Sequence, residues 1–197
     1  MNYLAHAYLS FGHPQLLVGN MISDFVKGKS QYAYERQIGM GIRLHRSIDA
    51  FTDSHPATAA AKEIFRPHYR LYSGAMVDVL YDHFLANDTH CFADEAQLFR
   101  FSQEVYQSLD VAKAALPLRF QQLLPYMQSQ NWLYHYKDRE GMAKSLQGLV
   151  RRAAYLSDAQ TAFRLFEEHY NDLQTCYDNF IEDVKSFAKE QVAQLLL

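Results

Sequence analysis

Between residues 158 and 195 the apolar residues Phe163, Phe166, Tyr170, Leu173, Tyr177, Phe180, Val184 and Phe187 recur at intervals of three and four. That spacing places them on one stripe of a helix and is incompatible with the two-residue period of a strand. A stripe of this width must be covered, by the chain's own core or by a second copy in a helix–helix seam. The same helical spacing runs through the rest of the chain, and only 8 Gly and 5 Pro interrupt its 197 residues. Long uninterrupted elements follow. The pattern predicts helices at roughly 2–10, 15–27, 35–53, 57–69, 73–88, 94–109, 117–129, 138–154 and 158–195, with boundaries good to a few residues. Asp94, Asp138 and Asp158 stand as N-cap candidates and Pro117 as a first-turn residue. Sustained alternation is absent, as are linkers and repeats. The expected fold is all-α: one domain over 1–197, a compact multi-helix bundle closed by a long amphipathic C-terminal helix.

Composition narrows the setting. A formal charge of -3 argues against a nucleic-acid partner. Cys91 and Cys176 are too few for a disulfide framework, which points to a reducing, cytoplasmic location. No secretory leader pattern and no apolar run of membrane-spanning length is present. The charge is nevertheless uneven. Lys27–Arg70 carries eight basic against four acidic residues, leaving the remainder at about -7. Lys27, Arg43, Arg46 and Arg66 in that segment are candidates for holding an anionic substrate or partner.

The chemistry-bearing residues concentrate in the first ninety positions, where seven of the nine His lie. The phosphate-loop, serine-hydrolase and zincin signatures are missing, and Gly39-Met40-Gly41 lacks the third glycine of a dinucleotide fingerprint. No Glu-x-x-His occurs, which argues against a di-iron carboxylate bundle. His45 and Asp49 are four apart and share a helix face, which Asp53 extends by a turn. Asp78 and Asp82 repeat that spacing in a helix apolar at most other positions. Asp24 and His6 are isolated polar groups among apolar neighbours. Each alone has a structural explanation: a hydrogen-bonded core histidine for His6, a surface ion pair for His45/Asp49. Together, buried without partners, they would cost several kcal/mol, which a divalent cation shared between helices removes. His6, Asp24, His45, Asp49, Asp78 and Asp82 are therefore the candidate ligands, and Asp53 and His83 the candidates for orientation or proton transfer. Mixed His/Asp ligation suits Mn²⁺, Mg²⁺, Fe²⁺ or Zn²⁺, and a cation beside Arg and Lys is suited to phosphate chemistry. His13, His68, His90 and His135 read as surface or capping groups.

Four blocks carry a resemblance: Asn2-Tyr-Leu-Ala-His6; Gly19-Asn20-(x3)-Asp24-Phe-Val-Lys-Gly28; Gly41-Ile-(x2)-His45-Arg-(x)-Ile-Asp49-(x2)-Thr52-Asp53-(x)-His55-Pro56; and Asp78-(x3)-Asp82-His83-Phe-Leu85. They resemble the acyl carrier protein phosphodiesterases, with a weaker match through Asn131-Trp132-Leu and Leu146-(x)-Gly148-Leu-(x)-Arg151-Arg152. The resemblance implies a Mn²⁺-favouring phosphodiesterase related to the HD-domain phosphohydrolases. Such an enzyme removes 4′-phosphopantetheine from the serine of holo-acyl carrier protein, an acidic partner, in the service of fatty acid biosynthesis. The usual HD order, His followed by Asp, is reversed here in Asp82-His83. Two other readings fit the residues alone: a metal phosphohydrolase for a nucleotide or small phosphoester, and a non-catalytic helical module for an acidic protein.

Overall fold

In the computed structural model, which describes residues 1–153, 156 and 158–197, the chain is a bundle of helices with no strand among the described residues. The helices are α1 (Tyr3–Tyr8), α2 (Pro14–Ile22), α3 (Arg36–Ser54), α4 (Pro56–Tyr69), α5 (Ser73–Ala86), α6 (Glu95–Val111), α7 (Leu118–Ser129), α8 (Trp132–His135), α9 (Arg139–Arg152), α10 (Gln160–Glu168) and α11 (Tyr170–Leu196). The last residue of the helix expected at 138–154 lies outside the described residues. None of the helices is long and apolar enough to cross a membrane among the described residues.

The C-terminal stripe is covered by the chain itself. Leu173, Tyr177, Phe180, Val184 and Ala188 of α11 are fully buried, each aromatic contributing on the order of 1.5–3 kcal/mol by leaving water. Phe187 stacks on Phe51 of α3 at 4.5 Å and Phe180 on Tyr81 of α5 at 4.9 Å. The single helix expected over 158–195 is two. The chain leaves helical geometry at His169 (φ -111°, ψ 24°), because the two segments serve different neighbours: α10 packs on α9 and α4, α11 on α3, α4 and α5. The guanidinium of Arg139 covers the junction, 4.1 Å from the Tyr170 ring and 5.1 Å from Phe166. Among the expected caps, Asp94 accepts from the Gln97 N–H at 2.7 Å, and Asp158 accepts from Gln160 and Thr161 at 2.9 and 3.1 Å. Asp138 precedes α9 without a side-chain cap bond.

The element that positions the site is the crossing of α2 and α3. A Cβ on Gly41 would lie 2.1 Å from the Leu16 carbonyl oxygen, and one on Gly19 would lie 2.0 Å from that of Ile38. Only two glycines allow the backbones to meet this closely. The helix expected at 15–27 accordingly ends at Ile22; Ser23–Phe25 form a tight 3-10 turn that swings Asp24 over α3, and Gly28 takes the left-handed φ of 56°.

Candidate metal centre

The site is assembled where α1, α2 and α3 meet. Helix α1 has no cap of its own, since Asn2 makes no cap hydrogen bond. Its free N–H groups are met from α5: Leu4 donates to Asp82 Oδ2 at 2.7 Å and Ala5 to Oδ1 at 3.1 Å. Two backbone donors and the positive end of a helix are what a buried carboxylate requires. One turn further, His6 faces α3. Asn20 of α2 ties the three helices: its Nδ2 donates to the His6 carbonyl at 2.7 Å and to Ser10 Oγ at 3.1 Å, and its own carbonyl accepts from His45 Nδ1 at 2.7 Å.

The result is a compact donor set. The His6 and His45 rings stack with centroids 3.8 Å apart. Asp49 spans them, with Oδ1 3.1 Å from His6 Nε2 and Oδ2 3.1 Å from His45 Nε2. Three ligand atoms, one each from His6, His45 and Asp49, lie within 4.8 Å of one another. Asp24 Oδ1 is a further 3.3 Å from His45 Nε2, on an exposed side chain that forms the mouth. The N-terminal ammonium of Met1 bridges Asp49 (3.3 Å) and Asp78 (2.8 Å).

The chemistry of this set fits a cation. The Asn20 carbonyl claims the Nδ1 proton of His45, so in the neutral ring Nε2 presents a lone pair to two carboxylate oxygens. Acceptors facing each other at such distances need a positive charge between them, a proton or a metal. Without metal it is a proton. Burial opposes the charged ring, but hydrogen bonds with Asp24 and Asp49 outweigh it and lift His45 to about 9. Burial and the neighbouring His45 charge push His6 down to about 4. Asp49 is half-buried against its charge, yet bonding with both imidazoles holds it well below the carboxylate range; bonding with His45 likewise lowers Asp24. The carboxylates are thus ionised at neutral pH, as ligands must be.

The structure brings together His6, Asp24, His45 and Asp49, with Asp78 one step away behind the Met1 ammonium. Asp82 stands apart from the donor set: its two oxygens are engaged by α1, and burial pushes it up to about 7. His83 has other partners: Nδ1 bonds the Tyr136 carbonyl at 2.7 Å and Nε2 meets the Tyr170 hydroxyl at 3.1 Å, with Phe166 packed edge-on. Asp53 is exposed and paired with Lys62 at 2.6 Å, apart from the donor set. Of the basic candidates, Arg46 bonds Gln31 and the Val26 carbonyl beside the Asp24 turn at 2.8 and 3.0 Å. Arg66 is tied to Glu63 at 3.0 Å, while Lys27 and Arg43 are exposed. Asn20 and the Gly19/Gly41 pair were without an assigned role in the sequence. The signal was an amide and two glycines inside otherwise apolar helices, where propensity disfavours them.

Comparison with known proteins identifies the family. Residues 1–184 match the family described as "Acyl carrier protein phosphodiesterase". A protein of that name from Yersinia pestis is 34% identical over 180 residues, covering 91% of this chain and 93% of the relative. Those from Photorhabdus laumondii (32% over 180 residues, 91% of each chain) and Pectobacterium atrosepticum (32% over 191 residues, 97% and 99%) are similar to it over comparable spans. No solved structure matches. The chain belongs to the acyl carrier protein phosphodiesterase family, and is on that ground a phosphoric diester hydrolase.

Proposed function

We propose that the chain hydrolyses the phosphodiester joining 4′-phosphopantetheine to the serine of holo-acyl carrier protein, releasing the apo protein, and that it does so with a divalent cation, Mn²⁺ foremost, in the cytoplasm. The observation that carries the metal half is the His45 Nε2 lone pair set against Asp49 and Asp24 at 3.1 and 3.3 Å, with Nδ1 anchored on a backbone carbonyl. His6, His45 and Asp49 would hold the cation, with Asp24 the next donor at the open side. A cation bound there would supply Lewis-acid stabilisation of phosphoryl oxygens and activate water at neutral pH. The chain's own residues do the rest. Asn20 orients His45, Asp82 holds α1 so that His6 meets the cluster, and the Met1 ammonium and Asp78 fix Asp49 from behind. Arg46 and Lys27, both next to the Asp24 turn, offer positive charge to an approaching phosphate. The substrate half is supported by the names of the relatives.

The test is mass spectrometry of holo-acyl carrier protein after incubation with the metal-free protein, with and without Mn²⁺. Loss of the phosphopantetheine mass only with Mn²⁺ is the expected result. Full turnover by protein verified as metal-free would overturn the cation's role, and turnover of nucleotides but not of the carrier protein would overturn the substrate.

A further inference from the structure

A groove of about 1120 Å³ runs between α7 and α9, and neither the donor set nor the basic 27–70 segment includes it. Asn2, Tyr3 and Val79 contribute to its lining. These residues adjoin Met1, whose ammonium bonds Asp49, and Asp78. Tyr3 in the lining also lies within electrostatic reach of both Asp24 and Arg152, so this part of the groove lies beside the candidate metal centre. Phe25, next to Asp24, packs edge-on against buried Phe120 of α7 at 5.3 Å, which ties the Asp24 turn to the helix that carries Arg119.

Its charge is the informative feature. The acidic residues of the lining already have cationic partners: Glu140 pairs with Lys144 at 2.7 Å, and Asp138 with Lys137 at 3.3 Å. Arg119, Arg151 and Arg152 line the groove, are exposed, and make no ion pair among the described residues. Three uncompensated guanidinium groups thus face one concavity on a chain whose formal charge is -3. The space far exceeds one phosphate, which by its share of volume would need only a small fraction of it. Half-buried Trp132 and exposed Tyr126 add broad amphipathic surface of the kind that anchors protein partners.

Resting on the function proposed above, we infer that this groove docks an acidic surface segment of the carrier-protein substrate, through Arg119, Arg151 and Arg152, so that its modified serine arrives at the His6–His45–Asp49 end. Charge complementarity of this kind sets encounter rate and register.

The experiment replaces Arg119, Arg151 and Arg152 by Glu together, with an Arg→Gln triple as a milder version should the first fail to fold. Two readouts are taken: KM for holo-acyl carrier protein, and binding of the apo protein by fluorescence anisotropy, which requires no turnover. KM should rise at least tenfold, apo-protein binding should weaken by a similar factor, and its dependence on salt should flatten. An equal loss on the small diester bis(p-nitrophenyl) phosphate would mean the arginines serve the phosphoryl group and would overturn the docking role. So would unchanged apo-protein binding in both triples, or a loss confined to Lys27→Glu/Arg43→Glu. If the wild type bound apo protein through these arginines yet failed to process the holo form, the proposed reaction would fall and the groove assignment would stand.

Discussion

Gly41→Ala sets two physical effects against each other. In a helix interior Ala is favoured over Gly by about 1 kcal/mol, so propensity alone makes this a stabilising change. Packing says the opposite. The new Cβ would lie 2.1 Å from the Leu16 carbonyl oxygen and 2.9 Å from the Asn20 nitrogen, both backbone atoms that no rotamer change can move. Restoring an ordinary contact of about 3.5 Å requires α2 to retreat by roughly 1.4 Å. Overpacking of this sort costs about 1–3 kcal/mol. The same retreat stretches the 2.7 Å bond from His45 to the Asn20 carbonyl beyond hydrogen-bond range, at a cost of about 1–3 kcal/mol for the buried donor. After the propensity gain, a net loss near 3 kcal/mol remains, about 6–12 °C in Tm for a chain of this size. Gly39, two residues earlier in α3, is the internal control. A Cβ there meets only the Gln31 carbonyl oxygen at 3.7 Å, so Gly39→Ala should be neutral or stabilising by up to about 1 kcal/mol. Thermal and urea unfolding followed by circular dichroism, with Mn²⁺ titration of each variant, measures both. If Gly41→Ala matched Gly39→Ala in stability and in metal affinity, the close crossing would not be what sets the site.

Asp49→Asn and Asp82→Asn should separate ligation from folding. The first should weaken Mn²⁺ binding at least tenfold and abolish turnover with the helical spectrum unchanged; the second should lose on the order of 1–3 kcal/mol in urea, because an amide nitrogen is turned toward a buried N–H, while Mn²⁺ affinity of the folded protein stays within about threefold. A metal-binding defect in Asp82→Asn equal to that of Asp49→Asn would return Asp82 to the ligands. Because His45 is raised to about 9 from an ordinary 6.5, its ion pairing stabilises the metal-free protein fully below pH 6.5 and is lost as pH rises through 9. Mn²⁺ must displace that proton, so its affinity should climb across pH 7 to 9 in calorimetric titrations; a flat profile would show that His45 carries no proton to displace.

The helical class was legible because spacing by three and four leaves no other way to collect the apolar residues on one side. The break at His169 was not, since Phe166 and Tyr170 remain four apart and in phase across it; only the change of packing partner marks the junction. At the site, His45 and Asp49 were legible as a pair because four residues is a distance within one helix. His6 joins them through Asn20 and a glycine crossing, contacts between helices that spacing does not encode. The case of Asp82 and His83 is the more instructive. Their burial in an apolar helix signalled correctly that each must have a partner, but a buried carboxylate can be satisfied by a cation or by the open end of a helix, and an imidazole by a metal or by a carbonyl. The choice lies in the partner's sequence. Helix α1 starts at Tyr3 with no acidic residue in its first turn, and Asn2 spends its amide on the Tyr136 hydroxyl at 2.9 Å. A buried helix start with nothing local to meet its N–H groups must be capped from elsewhere, and Asp82 is the carboxylate within reach. An uncapped helix start among apolar residues is thus as strong a claim on a distant buried Asp as a metal is.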